Sequence, residues 1–195
     1  MTGISRGPWG RASWLCLAVL ACGGTATKEK SGGPAPLRAI PLKEAIVLEN
    51  AGPPPSDTSV TFRTGERRVI VLRHGPPDNV AFAHLNFAPD AFGPDIGREV
   101  RVDLQPLPGL YGVDIASTLP FRSATLSFYY ARYFTAPARA RQAYGNDVAF
   151  ERALAIWQVQ PNSMLAPLEP TRPALDVLSA QIPGPGRHLV AAPPR

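Results

Sequence analysis

The residue types that commonly do acid–base or metal chemistry are few in this sequence and stand far apart. The three histidines are His74, His84 and His188, and no His or Cys pair has the short spacing of a structural zinc site. The sequence contains no Gly-x-Ser-x-Gly nucleophile turn, phosphate loop or dinucleotide fingerprint. We therefore predict no catalytic residue, no metal site and no cofactor, and we expect a protein that is not an enzyme.

Several aspartates could gather into a site only through folding. Most of them stand beside Gly or Pro, where an Asp side chain commonly hydrogen-bonds the backbone of a turn. A calcium loop at residues 90–95 would need a ligand motif that this stretch lacks. We interpret these carboxylates as turn residues; they are Asp78, Asp90, Asp95, Asp103 and Asp114.

An aromatic run at residues 128–134 is the remaining candidate for binding. In an extended strand, Tyr129 and Tyr133 fall on the face opposite Phe128, where they could stack on a sugar ring or a partner's side chain. The alternative, which is the commoner arrangement, is that a second sheet, a helix or the preceding segment covers them. We retain Tyr129 and Tyr133 as the candidate binding platform.

The two cysteines lie in an apolar run near the N-terminus, "LCLAVLACGG". Arg6 and Arg11 precede the run, and its apolar block is shorter than the roughly 20 residues that a membrane-spanning helix needs. The end of the run, "VLAC", resembles the lipobox of bacterial lipoproteins, in which the cysteine receives a diacylglyceryl thioether and becomes the new N-terminus. The resemblance implies a signal peptide at residues 1–21 and lipidation at Cys22.

Two alternatives to lipidation stay open. Cys16 and Cys22 could form a disulfide, or the run could be an ordinary signal peptide cleaved after Ala21. The lipobox interpretation predicts a lipid-anchored protein of the bacterial cell envelope. Gly23 follows Cys22 in place of the aspartate that in some bacteria signals retention in the inner membrane, which favours the outer membrane.

Charge and composition exclude some classes of protein and favour others. The net charge of +5 is too small to indicate a nucleic-acid partner, and most arginines are interspersed with acidic residues. The 23 prolines and 17 glycines punctuate the chain at short intervals, which favours many short strands over long helices.

Residues 22–58 are rich in Gly, Pro, Ser and Thr and predict a flexible tether between the lipid anchor and a domain. One stretch within it, "PLKEAIVLEN" at 41–50, is more apolar. It could add a strand to the domain or dock against it, and the pattern does not decide between these.

Residues 59–195 predict one β-domain. Alternation places Val100, Val102 and Leu104 on a buried face, and Leu126, Phe128 and Tyr130 on the inner face of a central strand at 124–134. Proline before and glycine after predict a short helix near 137–144. Further strands are predicted at 60–63, 68–73, 79–87, 175–182 and 187–191, and a hairpin around 160–163. The fold class is therefore all-β, a two-sheet antiparallel sandwich of about eight or nine short strands.

The order "LPF", "ATLSFYY", "ALAIWQVQ" and "GRHLVAAP" resembles the β-sandwich domain shared by ankyrins, netrin receptors and zonula occludens proteins, over residues 60–193. The resemblance implies a binding or structural module. Some members cleave themselves at a His-Phe-Ser tripeptide, but the matching place here, residues 187–189, has no serine, so self-cleavage is not expected.

These observations lead to two expectations about function. The first is a non-catalytic envelope lipoprotein that presents its sandwich for protein interaction or a structural role. The second is a module that binds an envelope glycan or an anionic lipid polymer through the aromatic platform and arginines. Both expect the membrane as a partner through the N-terminal lipid, and neither expects nucleic acid.

Overall fold

The computed structural model describes residues 37–195. The predicted signal peptide, Cys22 and the first part of the predicted tether lie outside these residues.

Residues 37–195 form fifteen strands, two α-helices and one 3-10 turn. The strands are β1 (Ile40–Pro41), β2 (Ile46–Val47), β3 (Glu49–Asn50), β4 (Thr58–Arg63), β5 (Arg68–Arg73), β6 (Ala81–Phe87), β7 (Glu99–Pro106), β8 (Gly112–Ser117), β9 (Ala124–Tyr129), β10 (Phe134–Thr135), β11 (Ala155–Val159), β12 (Met164–Pro167), β13 (Thr171–Ala174), β14 (Val177–Ile182) and β15 (Gly186–Ala192). The helices are α1 (Ala138–Tyr144) and α2 (Asp147–Ala153), and the 3-10 turn is Ala131–Tyr133.

Two antiparallel sheets form the body of the domain. The larger runs β1-β12-β11-β15-β8-β7-β4, with β2 added beside β15, and the smaller runs β13-β14-β9-β6-β5. A two-stranded ribbon joins β3 to β10. The predicted all-β antiparallel sandwich is therefore confirmed, although the described part of the chain has more strands than expected because several contain only two residues.

The core between the sheets follows the predicted alternation. Val100, Val102 and Leu104 of β7 are buried, while Arg101 between them is exposed. In β9, Leu126 and Phe128 are likewise buried, and Ala83 and Leu85 of β6 lie directly opposite them. The register predicted for both strands is correct.

The two helices pack on the main core through Ala140, Tyr144 and Phe150. Helix α1 is the predicted one, and Gly145 ends it with a φ of 78° that an L side chain would adopt only with strain. Helix α2 was not predicted; Asn146 caps it by accepting a hydrogen bond from the Ala149 N–H at 2.8 Å. Tyr144 and Phe150 are buried where the two helices meet. Among the described residues, no helix is both long enough and apolar enough to cross a membrane.

Residues 37–50 form a strap over the outer face of the larger sheet. Strand β1 pairs with β12 and strand β2 pairs with β15. Between them, Ala45 packs in a second apolar cluster with Trp157 and Leu165, whose side chains point away from the main core. The open question about 41–50 is thus answered, since this stretch adds strands to the domain.

The predicted tether is correspondingly too long. Ile46 and Leu48 are buried in the main core, and the Pro53 carbonyl oxygen lies 2.8 Å from Nδ1 of His74. The described residues before Ser59 therefore belong to the domain, because they cover the apolar outer side chains of β11, β12 and β15 and also fill part of the main core.

Candidate functional site

The outer face of the five-stranded sheet carries polar side chains in cross-strand rows. One row joins Asn86, Thr125 and Gln181, and the next joins His84, Ser127 and Ser179. Direct partners in antiparallel strands point to the same side of a sheet. Tyr129 extends the same face along β9. We call these seven residues the polar face.

Hydrogen bonds hold these side chains in place. Gln181 Nε2 donates to Thr125 Oγ1 at 2.8 Å, and Gln181 Oε1 accepts from the Ser123 hydroxyl at 3.0 Å. The hydroxyl groups of Ser127 and Ser179 are 2.7 Å apart and share a hydrogen bond. Such side chains are fixed before any ligand arrives, which lowers the entropic cost of binding.

Tyr129 and His84 form an aromatic pair at the other end of the polar face. Their ring centroids are 4.5 Å apart, and the Tyr129 hydroxyl lies 3.0 Å from His84 Nδ1. Partial burial, aided by the nearby Arg73 charge, lowers the pKa of His84, so the imidazole is neutral at pH 7. A neutral imidazole nitrogen can accept a hydrogen bond from the Tyr129 hydroxyl, which fixes the orientation of the Tyr129 ring.

Tyr133 lies elsewhere, so the platform predicted from Tyr129 and Tyr133 together is wrong. Its ring packs against His74 at 4.7 Å, and a Cβ on Gly52 would collide with it. Its hydroxyl donates to Asp78, which also pairs with Arg132. The physical reason is that β9 ends at Tyr129 and a 3-10 turn follows, so strand alternation no longer applies at Tyr133.

A groove of about 650 Å³ lies at the Asn86–Gln181 end of the polar face. Three chain segments meet there: the turn before β5 supplies Arg67, the loop after β6 supplies Asp90, and the loop before β9 supplies Arg122 and Ser123. The Arg122 N–H donates to the Ala91 carbonyl at 2.9 Å and so joins the last two loops.

An aromatic cluster supports these loops from below. Phe87 of β6 contacts Phe92 and Phe121, with both pairs of ring centroids 5.1 Å apart, and Phe62 of β4 lies 5.7 Å from Phe87. Each ring comes from β4, from β6 or from one of the two loops. The packing of these rings therefore fixes the position of the loops that form the walls of the groove.

Two of the three histidines are buried and take no part in the polar face. His74 packs edge-on to Phe82 and Tyr111 in the core. His188 is fully buried on β15, and burial lowers its pKa to about 4. Among the described residues, the Nε2 atoms of His74 and His188 have no hydrogen-bond partner.

The interpretation of the five aspartates as turn residues is wrong for Asp103 and Asp114, which lie within strands β7 and β8. Most of the five form surface ion pairs. Asp95 pairs with Arg98, Asp103 with Arg101 and Asp114 with Arg187, at 2.9 to 3.4 Å. The hydrogen bond from Tyr133, and after it the positive charge of Arg132, lower the pKa of Asp78. In residues 37–195, no group of three or more His, Cys, Asp or Glu side chains could hold a metal ion.

Sequence reasoning missed Asn86, Thr125, Gln181, Arg67 and Arg122. A signal for the first three was present, since polar residues recur at every second position in 84–86, 125–129 and 179–181. No local pattern marks the two arginines, because only folding brings their loops together.

No protein-family model, curated protein or solved structure matches this chain.

Proposed function

We propose that this protein is a non-catalytic envelope lipoprotein, anchored through lipid on Cys22, whose sandwich binds an envelope polysaccharide on its polar face. The observation that carries the proposal is the row of amide and hydroxyl groups at the groove. Such groups donate to and accept from sugar hydroxyls, and the Tyr129 ring at the other end of the polar face offers an apolar surface for a sugar ring.

The chemistry of this face favours a glycan over a protein as its ligand. Cores of protein–protein interfaces are enriched in aromatic residues, Met and Arg, and depleted in Ser. The polar face has one tyrosine and one histidine, and its other five members are amides or hydroxyls. The row from Asn86 to Gln181 also crosses three strands, which suits an extended ligand.

Retention of the full-length protein on immobilised polysaccharide from the bacterial envelope tests the proposal. Gln181→Ala and Tyr129→Ala should each weaken retention. Gln105→Ala is the matched control, because Gln105 is also an exposed strand glutamine but lies on the larger sheet. Equal retention of all variants, or retention of none including the wild type, would refute the proposal.

A second candidate, protein interaction, is favoured by strand β5. Within the described residues β5 ends its sheet and pairs only with β6. Its sequence, "RVIVLR", is rich in β-branched residues, and a free edge of this kind can accept an added strand from a partner. A photo-crosslinking amino acid at position 69 should capture one defined envelope protein in intact cells, and the same group at position 105 should not.

A further inference from the structure

The groove carries an excess of positive charge at its rim. Arg67 and Arg122 both line it and are exposed, and Asp90 is the acidic residue among the lining side chains. Elsewhere in residues 37–195, Arg98, Arg101, Arg132, Arg141 and Arg187 are in ion pairs with aspartates. Arg67 and Arg122 make no such pair within the same residues, so their guanidinium groups are available to a ligand.

A guanidinium group fits a carboxylate especially well. Its planar fork can donate two parallel hydrogen bonds to the two carboxylate oxygens, and charge-assisted hydrogen bonds are about twice as strong as neutral ones. The loop of Arg122 is held by Phe121 of the phenylalanine cluster beneath the groove, and Arg67 lies in the turn after β4, the strand that supplies Phe62 to the same cluster. The positive rim is therefore attached to a rigid support.

The row of amides continues inward from this rim. Gln181 donates one hydrogen bond to Thr125 and accepts one from the Ser123 hydroxyl. Asn86 Oδ1 is buried and, among the described residues, has no partner. A rotation of this amide toward the groove would let a ligand hydroxyl satisfy it. Positive charge at the rim and neutral polar groups inside match a saccharide that carries an acidic substituent.

We propose that the groove selects carboxylate-bearing saccharides, with Arg67 and Arg122 binding the carboxylate and the Asn86–Thr125–Gln181 row binding ring hydroxyls. This inference rests on the proposed function. A phosphate group could also bind the arginines, as in a lipid headgroup. The extended polar rows beyond the groove favour a saccharide chain over a single headgroup.

Isothermal titration of the full-length protein in detergent tests this selection. Three probes are compared: an oligogalacturonate, the methyl ester of the same oligosaccharide, and glycerol 3-phosphate. The ester has the same sugar without the charge, and glycerol 3-phosphate is the analogue of a lipid headgroup. The oligogalacturonate should bind at least about tenfold more tightly than the ester, because the ester loses at least one charge-assisted hydrogen bond to an arginine. Its affinity should fall with rising salt, because exposed charges are screened.

Arg67→Gln and Arg122→Gln should each reduce oligogalacturonate affinity by about tenfold and leave affinity for the ester unchanged. Arg187→Gln is the control, since Arg187 is an exposed arginine on the larger sheet. Unchanged melting temperatures would show that the variants are folded.

The outcomes separate this inference from the proposed function. Equal binding of acid and ester overturns the inference and leaves the proposed function standing. Arginine-dependent binding of glycerol 3-phosphate without binding of oligogalacturonate also overturns it, in favour of a headgroup. Failure of both saccharides, together with no retention on envelope polysaccharide, refutes inference and proposed function alike.

Discussion

The buried His188 should make the stability of the domain depend on pH. Its side chain is fully buried on the inner face of β15, which it shares with Val190, and it lies opposite Val113 of β8. Its Nδ1 lies 3.0 Å from the Gly186 carbonyl oxygen, which can only accept, so Nδ1 carries the proton and Nε2 is bare. Protonating Nε2 would place a charge in the core, which is why burial lowers the pKa to about 4.

The sign and size of the effect follow from proton linkage. Between pH 6.5 and pH 4 the unfolded chain binds a proton at this histidine and the folded chain does not, so stability falls as the pH falls. With a folded pKa of about 4 and an unfolded pKa of about 6.5, lowering the pH from 7 to 5 should remove about 2 kcal/mol of unfolding free energy. That is a large part of the stability of an ordinary domain.

Urea denaturation at pH 7, 6 and 5 measures this dependence. In His188→Leu the unfolding free energy should lose most of its dependence on pH, whatever the stability of the variant at pH 7. His84→Gln is the matched control and should keep most of the slope, because His84 is only partly buried. An NMR titration of the His188 ring should show no protonation down to pH 5. A His188 pKa near 6.5, or a slope unchanged in His188→Leu, would refute the reasoning.

Three further predictions concern the anchor, the core and the strap. Cys22→Ser should release the protein from membranes, as judged by fractionation after a high-salt wash, and continued retention would contradict the lipoprotein proposal. Phe128→Ala should lower the unfolding free energy by about 3 to 5 kcal/mol, because Phe128 is in the core. Tyr129→Ala should lower it clearly less, because Tyr129 lies on the polar face, and equal losses in urea titrations would contradict this. A protein beginning at Ser59 should be several kcal/mol less stable than one beginning at residue 37, since it loses buried Ile46 and Leu48; equal melting temperatures would contradict the role of the strap.

Features set by neighbouring residues could be predicted from the sequence. Alternation in β7 identified Val100, Val102 and Leu104 as buried, because side chains on a strand point alternately to its two faces. Helix α1 was predicted from the proline before it and the glycine after it, which suit the two ends of a helix for steric reasons. Helix α2 was missed although Asn146 and Asp147 are good residues for a helix start, because no glycine or proline marks its end and β11 follows after Leu154 alone.

Features that depend on distant contacts could not be predicted. Strand β1 pairs Ile40 with Leu165 across more than a hundred residues of chain, and no local signal encodes that pairing. The groove was missed for the same reason, because Arg67 and Arg122 are distant in the sequence and line one groove only in the folded domain. Tyr133 was misplaced because the pattern of β9 gives no sign that the strand stops at Tyr129.

The strap also determines how the domain would respond to mechanical load. Any pull transmitted through residues before 37 enters the domain at β1 and β2, which contain only two residues each. Such short pairings should peel away at low force, before the long strands of the two sheets separate. Peeling would expose Trp157 and Leu165, so tension on the N-terminal side could uncover an apolar surface while the polar face stays intact. Single-molecule stretching from the N-terminus should then show a small early extension ahead of the main rupture, and a single rupture event would argue against it.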